Sequence, residues 1–162
     1  MLAGSMASTF HGEPRMTRDV DMVIDPTAES IGRFVAALDR SRFYVDDAVG
    51  AVRRRDMGNV IDTETGWKVD LIVRKDRPFS REEFARRQPA LIGGVELFIA
   101  TAEDTVLAKL EWRSRSDSER QFSDVVAVLA AQELDVAYLR HWAAELGIAE
   151  SLTEVLTAAA KA

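Results

Sequence analysis

Two aspartates one residue apart, Asp19 and Asp21, are the first side chains in this sequence whose types and spacing suit chemistry. In a strand, residues two apart point to the same face, so both carboxylates project together while Val20 and Met22 turn the other way. Paired carboxylates repel each other unless something neutralises them. A divalent cation does so, and Mg²⁺ favours one or two carboxylates completed by waters and phosphate oxygens. A third carboxylate, Asp70, lies in the apolar stretch Lys68-Val69-Asp70-Leu71-Ile72-Val73 and is placed to complete the set. By the same alternation Lys68 shares the face of Asp70, where it reaches a phosphate or is simply solvated. An amphipathic strand with solvent-facing acids shows the same pattern, so the aspartates need a context.

Gly4-Ser5 supplies one. The pair precedes a short helix expected at 6–11, where free backbone N–H groups and the helix dipole favour a phosphate. Glycine allows close backbone approach, and the Ser5 hydroxyl adds a donor. Thirteen residues lie between Ser5 and Asp19, enough for one short helix and a loop back to an adjacent strand. A phosphate site beside a metal site is what metal-assisted phosphoryl chemistry requires.

The elements that must position these residues follow from periodicity. Residues 19–25 alternate as a half-buried strand, and Pro26-Thr27 opens a helix whose apolar positions Ile31, Phe34, Val35 and Leu38 have helical spacing. A helix is expected at 46–54. Strands at 59–62 and 67–73 are joined by Thr63-Glu64-Thr65-Gly66 as a hairpin. A helix at 79–87 and a hairpin around Gly93-Gly94 complete the first hundred residues. Beyond Ala100 the pattern is wholly helical: 101–113 with Thr101 as cap and Asp104 in its first turn, a polar break at 114–118, then 119–131, 136–146 and 151–160. The expected fold class is therefore α/β or α+β, a mixed sheet flanked by helices with a helical C-terminal half. Residues 1–100 are expected to form the core, with 101–162 packed on it as one compact domain.

Composition sets outer bounds. The 162 residues carry a net charge of −6, so the molecule as a whole is not built to embrace nucleic acid. Residues 33–90 nevertheless hold 13 Lys/Arg against 10 Asp/Glu, a basic middle that keeps tRNA-sized acceptors in play. With no cysteine, disulfides, thiolate metal sites and cysteine nucleophiles are excluded, and a cytoplasmic location is expected. No stretch approaches the roughly 18 apolar residues a bilayer span needs. His11 and His141 lack metal-ligand spacing, and Trp112, Tyr138, Leu139, Trp142 and Leu146 read as core.

Gly4-Ser5, a spacer, then Asp19-Val20-Asp21, with Asp70 following, resembles the signature of the DNA polymerase β-like nucleotidyltransferase superfamily. The segments 4–19, 102–112 and 121–125 are similar to its bacterial stand-alone branch, which includes the AbiEii-type toxins. The resemblance spans roughly residues 2–142. It implies that Asp19, Asp21 and Asp70 hold Mg²⁺ or Mn²⁺, and that Gly4 and Ser5 hold the triphosphate of a nucleoside triphosphate. Lys68, Lys109 and Arg18 are expected phosphate contacts, and Asp124 positions Lys109 or a basic loop residue or is an exposed helix acid. Arg15 and Arg18 flank the approach to Asp19, where they touch phosphates or a nucleic-acid acceptor. The implied reaction transfers a nucleoside monophosphate to a hydroxyl of RNA such as tRNA, of a protein or of a small molecule, in a toxin–antitoxin setting. Proteins of this kind carry a helix before their first strand, and this chain starts at that strand. An open sheet flank that invites dimerisation or instability is therefore expected, and the family resemblance adds an antitoxin-type partner as the alternative to a homodimer. An idle binding module with the same fold, and a metal-dependent phosphohydrolase, are the competing readings.

Overall fold

The computed structural model describes residues 1–116 and 118–161. In chain order the elements are α1 (Gly4–His11), β1 (Asp19–Ile24), α2 (Ala28–Ala37), β2 (Phe43–Val45), α3 (Ala48–Arg54), β3 (Met57–Asp62) and β4 (Lys68–Val73). There follow α4 (Pro78–Ala85), β5 (Gln88–Ile92), β6 (Val95–Ile99), α5 (Ala102–Ser116), α6 (Glu119–Ala131), α7 (Val136–Glu145) and α8 (Ala149–Ala159). The chain divides into two compact units, one of residues 1–3 and 16–99, the other of 4–15 and 100–162.

The first unit is built on a mixed sheet in the order β1-β4-β3-β2, with β1 and β4 parallel and the remaining pairs antiparallel. Alternation along β1 and β4 decides its two faces. Met22, Ile24, Val69 and Leu71 turn to one side, where they pack with Ile31, Val35, Ala48 and Val52 of α2 and α3 around Val60. Apolar burial on that face is what holds the helices to the sheet. It leaves Asp19, Asp21, Lys68 and Asp70 on the other. Thr27 caps α2 by accepting from Ser30 N–H, and Asp47 caps α3 by accepting from Gly50 N–H. Gly58 permits the close approach of β3 to α3, since a Cβ there would lie 2.8 Å from the Ala48 Cα.

The sheet departs from expectation at both ends. The strand β2 has no counterpart in the sequence pattern; three residues are too few to display alternation. The flank of β1, expected to be open, is covered by Leu2. Leu2 bridges antiparallel to Met22 and parallel to Ile99, with Leu2 N–H donating to Phe98 O and Ala3 N–H to Asp21 O. Only 1% of its surface is exposed. Leu2 thus joins β1 to the β5–β6 hairpin, whose tight Gly93-Gly94 turn has both glycines at positive φ.

The second unit is helical. Val106, Leu107 and Leu110 of α5, Val125 and Val128 of α6, Leu139 of α7 and Leu152 and Val155 of α8 are fully buried or nearly so. Trp112, expected in this core, is instead exposed, because helical spacing alone does not say which face of α5 meets its neighbours. α1 packs on α5 and α6, where its buried positions Ala7, Ser8 and His11 lie on one side. His11 Nε2 is paired with Ala100 O at 2.7 Å, and Gln132 donates to His11 O. α5 runs to Ser116, through most of the break expected at 114–118. Ser114 and Ser116 hydroxyls bond back to the carbonyls of Glu111 and Trp112, and Arg115 pairs with Glu111 one turn earlier. Asp117, in that expected break, lies outside the described residues. Among the described residues no helix is long and apolar enough to cross a membrane.

Candidate active site

Register brings the acidic side chains of the sheet together. In the parallel β1–β4 pair Asp19 lies opposite Lys68 and Asp21 opposite Asp70, so all four project from one face across two adjacent strands. Asn59 of β3 is the next neighbour, opposite Asp70 on its other side. The register is clamped just beyond the strands: Arg74 N–H donates to Ile24 O, and its guanidinium gives Asp25 Oδ2 two bonds of 2.9 and 2.8 Å. A one-residue slip would send the aspartates to the α2/α3 side, so this clamp matters for the site.

Burial is graded across the face. Asp19 is exposed, Asp21 half-buried and Asp70 7% exposed. Lys68 Nζ lies 2.8 Å from Asp70 Oδ2 and 3.9 Å from Asp19 Oδ1. The hydrogen bond with Asp70 raises the Lys68 pKa above its ordinary value; burial opposes it, and the charges of Asp70, Asp19 and Asp21 add to the rise. Asp70 Oδ1 is buried and makes no hydrogen bond. Arg18 is exposed, its carbonyl accepting from Lys68 N–H.

The remaining expected residues belong to the helical unit, where they form a second polar cluster. Gly4 opens α1 with a positive φ of 57°. Ser5 Oγ accepts a bond from Arg15, and Ser5 O accepts from Ser8 Oγ. Arg15 also reaches Asp124 through Nε and Nη2, at 3.1 and 3.2 Å. Lys109, 4% exposed, donates to Asp124 Oδ2 at 2.8 Å and to Gln121 Oε1 at 2.9 Å. Burial by itself raises the Asp124 pKa, but bonds from Lys109 and Arg15 outweigh it and hold the carboxyl below its ordinary value. The structure therefore joins Ser5, Arg15, Lys109 and Asp124 in one network, and Asp19, Asp21, Lys68 and Asp70 in another. Sequence reasoning misses Gln121 and Asn59, since an amide at an ordinary helix or strand position carries no signal of its own.

Comparison with solved structures identifies the architecture. Over 99% of its length the chain resembles an antigenic nucleotidyltransferase-like protein from Paracoccidioides brasiliensis, covering 83% of that chain with a TM-score of 0.64 and 19% identity. The fold is nucleotidyltransferase-like. No protein-family model matches the sequence, and no curated protein does.

Within this nucleotidyltransferase-like fold, the fit of a divalent ion is judged from the side chains present. Three carboxylates offer the hard oxygen donors that Mg²⁺ and Mn²⁺ take, and Asp70 Oδ1 is a buried acceptor awaiting a partner. Among the described residues no group of three or more His, Asp or Glu side chains is yet gathered closely enough to hold an ion. The cation now serving the set is the Lys68 ammonium. The donor types suit a divalent ion, and Lys68 Nζ lies among them at 2.8 Å from Asp70 Oδ2.

Proposed function

We propose that this chain is a metal-dependent nucleotidyltransferase, moving a nucleoside monophosphate from an NTP to an acceptor hydroxyl. The observation that carries this reading is the register of Asp21 with Asp70 on adjacent parallel strands, with Asp19 two residues away on the same face. The fold and the partnerless, buried Asp70 Oδ1 support it.

Asp19, Asp21 and Asp70 hold Mg²⁺ or Mn²⁺, which when bound lowers the pKa of the attacking hydroxyl and offsets charge on the phosphates. Lys68 and Arg18, in the same unit as the carboxylates, serve as phosphate contacts. The acceptor oxygen attacks the α-phosphorus in line, the bond from that phosphorus to the bridging oxygen breaks, and pyrophosphate leaves. The Asp70 carboxylate also accepts the hydroxyl proton. The acceptor is RNA such as tRNA, a protein or a small molecule in the cytoplasm, and the resemblance to AbiEii-type toxins favours a toxin–antitoxin setting with an antitoxin-type partner or a homodimer.

A second reading has an observation in its favour. Lys68 already neutralises Asp70, which suits a fold kept as a catalytically idle interaction module. Incubation with each α-labelled NTP, Mg²⁺ or Mn²⁺ and pooled acceptors separates the two, with Asp19→Ala/Asp21→Ala as control. Label transfer and pyrophosphate release by wild type alone are expected. A folded wild-type chain showing neither transfer nor metal-dependent NTP binding would exclude the enzymatic reading and leave the module. Release of free phosphate instead would indicate a phosphohydrolase.

A further inference from the structure

Lys68 belongs to the carboxylate face by its backbone position. It lies opposite Asp19 across the β1–β4 ladder and two residues before Asp70 on its own strand. Its ammonium is in contact with Asp70 Oδ2 at 2.8 Å and within 3.9 Å of Asp19 Oδ1. We propose that Lys68 is a tethered counter-cation of the carboxylate set, which an entering divalent ion must displace. The inference rests on the metal-dependent reading above and specifies how that same site is controlled.

Two features make the exchange physical. Asp70 is half satisfied: Lys68 holds Oδ2, while Oδ1 is buried without a partner. An entering ion gains an acceptor that the protein leaves unused, but only by meeting the ammonium charge at contact distance, where like charges repel strongly. The Lys68 side chain is 37% exposed, and its flexible four-carbon stem lets the head swing into water or onto an anion without moving the strand. Bare metal therefore enters against an occupied seat. A metal–triphosphate complex enters more readily, because it brings phosphate oxygens that take the released ammonium. Between encounters the lysine keeps three neighbouring carboxylates from repelling one another.

The test is Mn²⁺ affinity of the full chain, read from the electron paramagnetic resonance of free Mn²⁺, with and without a non-hydrolysable NTP analogue. Without nucleotide, Lys68→Met is expected to bind Mn²⁺ about five- to tenfold more tightly than wild type, the scale for removing a partly exposed contact charge. Lys68→Arg, which keeps the charge, is expected to stay with wild type. With the analogue present the advantage of Lys68→Met should shrink or reverse, because methionine offers the phosphates no donor. Circular dichroism checks the fold, and Lys68→Gln serves as the second uncharged variant. Suppose wild type binds Mn²⁺ with the analogue, yet Lys68→Met and Lys68→Gln match wild type without it. Displacement is then overturned while the metal-dependent reading stands. If Asp19→Ala/Asp21→Ala retains wild-type Mn²⁺ binding throughout, the carboxylate site itself is misplaced and both fall.

Discussion

Arg15 grips Asp124 with two donors, Nε to Oδ1 at 3.1 Å and Nη2 to Oδ2 at 3.2 Å, while Lys109 Nζ approaches the same carboxylate at 2.8 Å. One acid thus serves two cations, and the second of them is buried. Removing the acid and removing the lysine are therefore unequal perturbations.

Asp124→Ala removes the carboxylate that both the buried Lys109 ammonium and Arg15 contact, and is expected to destabilise the protein by about 3 kcal/mol. Lys109→Met leaves Asp124 still bonded to Arg15 and replaces the lysine stem with apolar bulk, so a loss of roughly 1–2 kcal/mol is expected. Urea titrations give both values. The reverse order of midpoints would show that Lys109 is not carried as a charge.

The same carboxyl sets an acid limb. Its folded-state pKa is depressed: burial alone would raise it, and the Lys109 and Arg15 bonds overcome that effect. A depressed carboxyl contributes its stability in full above the unfolded value of about 3.9 and loses it as pH falls through the lower folded value. The stability gap between wild type and Asp124→Asn should therefore be constant near neutrality and narrow below about pH 4. Thermal melts at pH 3, 5 and 7 measure it; a gap that widens on acidification contradicts the assignment.

Tyr138 Oη donates to Asp104 Oδ1 at 2.6 Å, and Thr101 Oγ1 donates to Asp104 Oδ2 at 2.7 Å. Asp104 has 0% of its surface exposed, so each donor replaces water it no longer reaches. Tyr138→Phe is expected to cost roughly 2 kcal/mol, the scale of a bond to a charged acceptor. A urea midpoint within error of wild type would mean that the hydroxyl is dispensable.

Two glycines give opposite expectations for one substitution. Gly58→Ala places a methyl 2.8 Å from the Ala48 backbone, and a loss of about 1–3 kcal/mol should follow as β3 and α3 move apart. Gly32, within α2, has nothing within 4 Å of the place a Cβ would take, so Gly32→Ala should gain about 0.5–1 kcal/mol from helix propensity. Melting temperatures that move in the same direction would refute the contrast.

Most elements are legible in the sequence because their periods are long enough to register. β1 and β4 show in alternating acids and aliphatics, and α2 in its apolar spacing behind Thr27. What periodicity cannot supply is partnership. Nothing local says that Asp21 stands beside Asp70, because parallel neighbours are joined through intervening elements rather than by a hairpin. Asp104 reads as a first-turn acid behind Thr101, which it is; its complete burial under Tyr138 depends on a helix more than thirty residues away. The spacing of Tyr138 speaks for the core but is silent on the partner of its hydroxyl. Lys109 and Asp124 share a bond that helix spacing permits but does not require, since they lie on different helices.

Leu2 has a kinetic consequence. Its pairing with Ile99 closes a loop that takes in nearly the whole first unit, whereas the β3–β4 and β5–β6 hairpins close only short ones. Loop closure of that length is entropically late, so the hairpins can form while β1 and β6 are still unjoined. Leu2→Ala should then accelerate unfolding and leave the refolding rate nearly unchanged, a division that stopped-flow chevrons resolve. The strand that presents Asp19 and Asp21 would, on this view, be among the last parts of the sheet to become fixed and the first to be released.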